Sequence, residues 1–172
     1  MISAVDSGSS PSFFILHYSS EDWVVKSLSL IPKFFVTHSM IEKRKPLSST
    51  ARRAGWTGCN FLLDKLPLEG NIPIVINEKI QDKTKVNALW NKMFFMNSKR
   101  PSFRGWTSDV LKVVQEQDSS FSLSDIYLYD SYFKELHPEN NNIRAKIRQQ
   151  LQILRDNKII RFKGNGIYEK LK

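Results

Sequence analysis

Basic and amide side chains recur along residues 143–154 at a spacing that suits contact with a polyanion. Apolar residues occupy 143, 147, 151 and 154, so a helix here carries one apolar stripe. The positions off the stripe hold cations and amides, whose nitrogens donate to phosphate oxygens and base edges. They are Arg144, Lys146, Arg148, Gln149, Gln152 and Arg155. The pattern predicts a basic amphipathic helix.

A β-hairpin is predicted directly after this helix. Residues 159–162 and 167–171 suit strands, and 163–166 contain two glycines that suit a turn. A basic helix followed by a hairpin is typical of a winged helix-turn-helix, whose helix enters the DNA major groove while the wing lies along the backbone. Residues 143–172 carry a net charge of +7, most of the whole-chain +9. The alternative is a solvated helix face on a basic protein.

A second basic segment precedes Asn60. Between residues 42 and 53 there are five basic residues and one acidic residue, and neighbouring hydroxyl groups suit phosphate oxygens. Trp56 lies between Gly55 and Gly58, where it either inserts between base steps or fills the edge of a core. The residues alone leave both alternatives open. The residues predicted to contact DNA here are Lys45, Ser48, Ser49, Thr50, Arg52, Arg53, Trp56 and Thr57.

A set of carboxylates for phosphodiester hydrolysis is not evident. Glu42, Asp64 and Glu78 each precede a lysine, but none has a second acid at a recognisable spacing. Metal-assisted hydrolysis needs carboxylates that converge on the ion. The single cysteine, Cys59, excludes an internal disulfide and a cysteine-rich zinc site. The sequence therefore predicts no catalytic and no metal-binding residue.

Composition limits the class of protein. The hydrophobic fraction of 41% is enough for a core, and no run approaches the ~18 apolar residues of a membrane span. No basic segment followed by an apolar stretch opens the chain, so no signal peptide is expected. One cysteine fits a reducing compartment. A pI near 9.7 favours a polyanionic partner without choosing between nucleic acid and an acidic membrane surface.

Three segments are predicted from changes in composition. Residues 1–12 are polar and serine-rich, and are predicted to be disordered. Residues 13–100 are predicted to form strands at 13–18, 23–31, 34–37 and 72–76, with a helix at 89–96. Residues 101–172 follow a polar, proline-bearing linker at 97–102. Three helices are predicted there, the first capped by Thr107 or Ser108, the second over 124–136, and the third the basic helix. Three helices and a hairpin in this length match a winged helix.

Two blocks of sequence carry a resemblance to a known family. One is Pro46-Leu47 with residues 50–60, and the other is residues 146–156 with the wing at 162–166. Residues 104–107 between them also fit. Together they resemble the Dam-replacing, DpnI-like restriction endonucleases, in one order from about Phe13 to the C-terminus.

The resemblance implies an α/β fold, with part of a PD-(D/E)XK-type nuclease domain over 13–100 and a winged helix-turn-helix domain over 101–172. It implies a type II restriction endonuclease of the bacterial cytoplasm that cleaves double-stranded DNA at GATC containing N6-methyladenine, with Mg²⁺. The family's catalytic carboxylates and cysteine zinc site belong to a region that would precede Met1 here. The ligands for Mg²⁺ and zinc are therefore expected to be absent, and the chain to be silent alone. It is expected to act as a monomer, or to be complemented by a missing N-terminal segment.

Recognition of the methyl group is expected to lie on the basic helix rather than in the Trp56 loop. N6-methyladenine adds a small apolar group in the major groove and keeps only one N6 hydrogen for donation. Three residues supply an amide that could contact the adenine, namely Asn141, Asn142 and Gln149. Ala145 could contact the methyl group, and Arg144 or Arg148 could contact a guanine. Phosphate contacts are expected from Lys146, Arg148 and Lys163. Two other classes remain open, a stand-alone DNA-binding regulator and an RNA-binding or ribosome-associated protein.

Overall fold

The computed structural model describes residues 1–171 and divides into two compact units, Met1–Pro101 and Ser102–Lys172. The first unit contains one long and one short helix and six strands. They are α1 (Ile2–Asp6), β1 (Phe13–Ser19), β2 (Val24–Ile31), β3 (Ile41–Lys43), β4 (Cys59–Phe61), β5 (Ile72–Ile76), β6 (Lys79–Ile80) and α2 (Lys83–Lys92).

An antiparallel sheet in the order β1-β2-β5-β6 forms the centre of this unit. Phe13 pairs with Ile31, and a bulge shifts the register between His17 and Tyr18. The strands predicted at 13–18, 23–31 and 72–76 are confirmed. The strand predicted at 34–37 is wrong, because Lys33–Phe35 forms a 3₁₀ turn after Pro32 that buries both Phe34 and Phe35.

Two further predictions for the first unit need correction. Residues 1–12 are not disordered, since α1 buries Val5, and Asp6 Oδ1 lies 2.7 Å from His38 Nε2. Helix α2 begins six residues before the predicted start at Leu89, because the Asp82 carboxylate accepts from two backbone N–H groups of its first turn. The helix ends at Lys92, and a 3₁₀ turn follows over Phe94–Met96.

The second unit contains four helices and a three-stranded sheet within its described residues. They are α3 (Pro101–Glu116), β7 (Ser120–Ser122), α4 (Leu123–Tyr127), α5 (Asp130–Leu136), α6 (Ile143–Asp156), β8 (Ile160–Gly164) and β9 (Ile167–Lys170). The order along the chain and the sheet order β7-β9-β8 are those of a winged helix-turn-helix. Helix α6 and the hairpin of β8 and β9 confirm the predicted basic helix and wing.

Helix α3 begins earlier than predicted. Pro101 occupies its first turn, where a missing N–H costs nothing, so Gly105 and Trp106 lie inside the helix. Thr107 Oγ1 donates back to the Phe103 carbonyl at 2.9 Å, so neither Thr107 nor Ser108 caps the helix. Trp106 is buried, with its ring stacked on the His137 ring at a centroid distance of 3.8 Å.

The predicted helix over 124–136 is two helices with a break at Leu128 and Tyr129. Ser122 caps α4, since its hydroxyl accepts from the Asp125 backbone N–H and the Asp125 carboxylate accepts from the Ser122 N–H. Hydrogen bonds from the backbone N–H and the side chain of Ser122 lower the pKa of the Asp125 carboxyl. Strand β7, which the sequence does not predict, is held to β9 by Phe121 stacked on Tyr168. No helix within residues 1–171 is long and apolar enough to cross a bilayer.

Candidate nucleic-acid interface

Helix α6 presents one buried face and one polar face. Ile147, Leu151 and Leu154 are each fully buried, as the apolar stripe requires. At 100° per residue, Ala145, Gln149 and Gln152 lie at the centre of the opposite, exposed face. Arg144 and Arg148 flank that centre on one side, both exposed, and the half-buried Lys146 lies on the other. The helix therefore exposes an alanine and two glutamines between cations.

A buried hydrogen bond fixes the position of α6 on α3. Thr107 Oγ1 lies 2.7 Å from the Gln150 side-chain amide, and both side chains are fully buried. A buried polar pair of this kind has one satisfactory geometry, because separating it leaves unpaired polar atoms in the core. The exposed face of α6 is therefore held in one rotational setting.

Both arginines at the start of α6 have partners on the preceding helices. Arg144 Nε donates to Asp130 Oδ2 at 2.6 Å, and its Cζ lies 4.7 Å from the centre of the Tyr127 ring. Arg148 Nη1 donates to the Tyr127 hydroxyl at 2.8 Å. The sequence alone predicts two unpaired cations here, whereas in the structure both arginines contact Tyr127.

The candidate amides differ in how far they are already engaged. Gln149 Oε1 accepts from Lys146 Nζ at 2.8 Å, so this pair is joined along the helix. Asn141 Oδ1 lies 3.5 Å from Lys134 Nζ. The backbone N–H of Asn142 donates to Asn140 Oδ1, and the Asn142 side chain makes no capping hydrogen bond. All three amides are exposed at or near the N-terminal half of α6.

The wing ends in a tight turn with an ion-paired strand beside it. Gly164, Asn165 and Gly166 all have positive φ, which glycine and asparagine tolerate best. Lys163 Nζ lies 3.6 Å and Arg161 Nη1 3.7 Å from the same oxygen, Glu169 Oε2. These exposed pairs are weak, so both cations stay available to an external phosphate. Beneath them, burial raises the pKa of the Tyr168 phenol, and the charges of Arg155 and Arg148 oppose that shift.

The predicted basic segment of the first unit forms an ordered loop between β3 and β4. The N–H of Leu47 donates to the Trp56 carbonyl at 2.9 Å, and the N–H of Gly55 donates to the Leu47 carbonyl at 3.1 Å. Gly55 has φ +78°, which a side chain would strain. The residues between 44 and 58, here called the basic loop, therefore form a hairpin-like element.

Cations in the basic loop have no carboxylate partner. Lys45, Arg52 and Arg53 are exposed and make no ion pair with any described residue. Ser48 Oγ and Thr50 Oγ1 lie 3.0 Å apart, and Ser49 is exposed beside them. Thr57 is half-buried, with its hydroxyl 3.5 Å from the Gly55 carbonyl. The loop thus offers unneutralised charge and hydroxyl groups to solvent.

Trp56 lies on the surface and does not fill the edge of a core. It is 54% exposed, and a Cβ built on Gly58 would lie 3.0 Å from ring atoms Cη2 and Cζ3. Gly58 is thus required for the close approach of the ring, which rests on the loop itself. The core alternative is wrong, and Trp56 remains an exposed aromatic in the basic loop, paired through its carbonyl with the N–H of Leu47.

The described residues do not fit the metals that the resemblance implies. No three His, Cys, Asp or Glu side chains of residues 1–171 are grouped so that they could hold an ion. Cys59 is a free, half-buried thiol in β4. No chemical step through magnesium or zinc is derived from these residues.

Two residues near the predicted sites were not identified from the sequence. Tyr127 and Asp130 contact the arginines of α6 from other helices. Tyr127 and Asp130 lie 17 and 14 residues before Arg144, and no local pattern links them to it.

Comparison with protein-family models agrees with both units. The model described as DpnI, Dam-replacing family, matches residues 1–99, and the model described as Dam-replacing HTH domain matches residues 102–170. The resemblance found in the sequence is thereby confirmed, as is the fold class of mixed helix and sheet followed by a helix-turn-helix domain. More than half of the chain is matched by the first model alone, and the chain therefore belongs to the Dam-replacing family, as a DNA-binding, DpnI-like member of this group of restriction enzymes.

Proposed function

We propose that the chain recognises double-stranded DNA at GATC sites containing N6-methyladenine and serves methyl-directed restriction. Membership of the Dam-replacing family supports a restriction role, and the helix-turn-helix domain supports a duplex DNA partner. The observation that carries the finer proposal is the exposed centre of α6, where Ala145 and Gln149 lie one turn apart.

The chemistry of that face suits a methylated adenine. In a duplex the one remaining N6 hydrogen pairs with thymine, so the major-groove edge presents the N7 acceptor beside a new apolar group. The Gln149 amide nitrogen can donate to N7, and the Ala145 methyl group offers a small apolar surface. Asn142 supplies a second amide whose side chain has no capping role. Methyl recognition is thus proposed for α6 rather than for the basic loop.

Phosphate contacts are proposed for the remaining cations. In the first unit they come from Lys45, Arg52 and Arg53 of the basic loop, and in the second unit from Lys146, Arg148 and Lys163. Most protein–DNA hydrogen bonds go to the backbone and set the register without reading sequence. Such contacts need charge and an accessible side chain, and five of these six residues are exposed while Lys146 is half-buried.

The test is binding of the full chain to four duplexes, measured by fluorescence anisotropy at fixed salt. They are fully methylated, hemimethylated and unmodified GATC, and a methylated duplex of scrambled order. A contacted base pair is worth about 1–3 kcal/mol, so the methylated site should bind about 5- to 150-fold more tightly than the unmodified one. Equal affinity for all four would remove the methyl and sequence claims and leave a general DNA-binding module.

A matched pair of variants locates the methyl contact. Gln149→Ala should remove most of the preference for methylated DNA, while Gln152→Ala, on the same face but farther from the N-terminus, should keep it. If only Gln152→Ala lost the preference for methylated DNA, the methyl contact would lie one turn later in α6 and the role proposed for Gln149 would be wrong.

A second candidate is a methyl-directed DNA-binding protein that does not cut alone. It is supported by the scatter of acidic side chains over residues 1–171, which form no metal-holding group with His or Cys. The purified chain, incubated with Mg²⁺ and plasmid methylated at GATC, should leave the plasmid supercoiled. Nicked or linear product that disappears on an unmethylated plasmid would establish a methyl-directed nuclease instead. Competition between duplex DNA and RNA separates both candidates from an RNA-binding protein.

A further inference from the structure

We infer that Arg144 recognises a guanine base, and that Asp130 and Tyr127 are positioning residues that fix its guanidinium for this contact. The inference rests on the proposed recognition of a specific duplex site by α6. It assigns a role to two residues outside the recognition helix.

The contacts of Arg144 fix both the plane and the direction of its guanidinium. Asp130 accepts from Nε at 2.6 Å, and the Tyr127 ring lies under the guanidinium with 4.7 Å between Cζ and the ring centre. Only one carboxylate oxygen takes part, because Asp130 Oδ1 is buried and makes no hydrogen bond. The terminal nitrogens Nη1 and Nη2 make no hydrogen bond with any described residue. The terminal nitrogens of Arg144 are therefore free to pair with a ligand, on a side chain that is 62% exposed.

This geometry suits a base better than a phosphate. Guanine presents O6 and N7 side by side in the major groove, and a guanidinium pairs with both through two parallel N–H donors. Such a contact depends on orientation, which the ring and the carboxylate supply before DNA arrives. A phosphate contact needs only positive charge, and a carboxylate 2.6 Å away reduces the effective charge of Arg144. Arg144 is also the second residue of α6, and N-terminal residues of a recognition helix reach base edges.

Arg148 is prepared differently. One of its terminal nitrogens, Nη1, already donates to the Tyr127 hydroxyl at 2.8 Å, so its terminal edge is partly engaged. No carboxylate contacts it among residues 1–171. Arg148 therefore keeps its full positive charge, while one of its N–H donors is already engaged. This combination suits a phosphate contact. Of the two arginines, the contacts favour Arg144 for guanine.

The experiment compares methylated GATC duplexes containing guanine or 7-deazaguanine, which lacks the N7 acceptor. The full-length chain is used, with thermal denaturation to confirm that each variant is folded. Wild type should bind the guanine duplex about 5- to 150-fold more tightly than the deaza duplex. Arg144→Ala should bind both equally.

Variants of the two positioning residues should lower the ratio of affinities for the guanine and the deaza duplex, without lowering the affinity for unrelated DNA. Asp130→Asn weakens the hold on Nε, and Tyr127→Leu removes the ring. Tyr127→Phe keeps the ring and should keep the ratio. Asp156→Asn is the matched control, since Asp156 also pairs with an arginine, Arg155 at 2.8 Å, on the same helix. It removes the same charge and should leave the ratio unchanged.

Two results would overturn the inference. One is a ratio that survives in Arg144→Ala. The other is an Asp130→Asn protein that binds both the guanine and the deaza duplex more tightly than wild type does, by the same factor. Asp130 would then only weaken a phosphate contact of Arg144 by reducing its charge. Failure of the proposed function has a different signature, because wild type would then not separate methylated GATC from the scrambled duplex at all.

Discussion

Removing the unpaired cations of the basic loop should reduce the salt dependence of DNA binding by a predictable amount. The variant is Lys45→Ala, Arg52→Ala and Arg53→Ala combined. These three side chains are exposed and have no partner among residues 1–171, so their removal breaks no internal contact. Any change in binding therefore reports contacts with DNA rather than damage to the fold.

The magnitude follows from counterion release. Each phosphate neutralised contributes about 0.9 to the slope of log affinity against log salt. Between 50 and 200 mM salt, one contact therefore accounts for about a 3.5-fold loss of affinity, and three contacts for about 40-fold. The loss measured for wild type over this range should be about 40-fold larger than the loss measured for the variant.

The assay is anisotropy titration of the methylated GATC duplex at four or more salt concentrations. The matched control also removes three positive charges, as Lys26→Ala, Lys92→Ala and Lys112→Ala. These lysines already pair with carboxylates, at 2.6 Å for Lys26 and Glu78, 3.8 Å for Lys92 and Glu69, and 3.9 Å for Lys112 and Glu116. The control should change the slope by less than one unit. Equal slopes for the two variants would show that net charge, and not the basic loop, governs binding.

Three further outcomes are expected. Lys163→Ala should weaken binding to every duplex and lower the salt slope by about one unit, and an unchanged affinity and slope would place the wing away from the DNA backbone. Ser122→Ala removes the cap of α4 and should lower the free energy of unfolding by about 1 kcal/mol in a urea titration. Because the Ser122 hydrogen bonds lower the pKa of Asp125 in the folded state, the stabilisation by its carboxylate is present above the unfolded pKa of about 3.9. This stabilisation is lost as the pH falls through the lower, folded-state pKa. The difference in melting temperature between wild type and Asp125→Asn should therefore shrink between pH 5 and pH 2. A difference that stays constant over this range would refute the linkage.

Features set by neighbouring residues were predictable from the sequence. Helix α6 appears at the predicted start, Ile143, because its apolar residues recur at helical spacing. The hairpin of β8 and β9 follows from two strand-forming runs on either side of Gly164 and Gly166. The exposure of the loop cations also follows from composition, since unpaired cations are rarely buried.

Features set by distant residues were missed. Strand β7 has only one apolar residue, Phe121, and exists because it pairs with β9 at Tyr168. The contacts of Arg144 with Asp130 and Tyr127 depend on how three helices pack, which no window of sequence contains. A cap at Thr107 or Ser108 places the start of α3 too late, because Trp106 packs on His137 from inside a helix that begins at Pro101.

The pairing of β7 with β9 has a consequence for synthesis of the protein. Ser120 pairs with Glu169, so β7 has no partner until 49 more residues have been added. At about 5–20 residues per second this takes about 2–10 s. During that interval the ring of Phe121 lacks the Tyr168 ring on which it stacks. Ser122 can already cap α4, but the sheet beside that helix has not yet formed. Ribosome-stalled chains ending before Ile167 should therefore be cut readily by protease within residues 102–142, while chains extended past Lys170 resist, and equal resistance would show that the helices fold without the sheet.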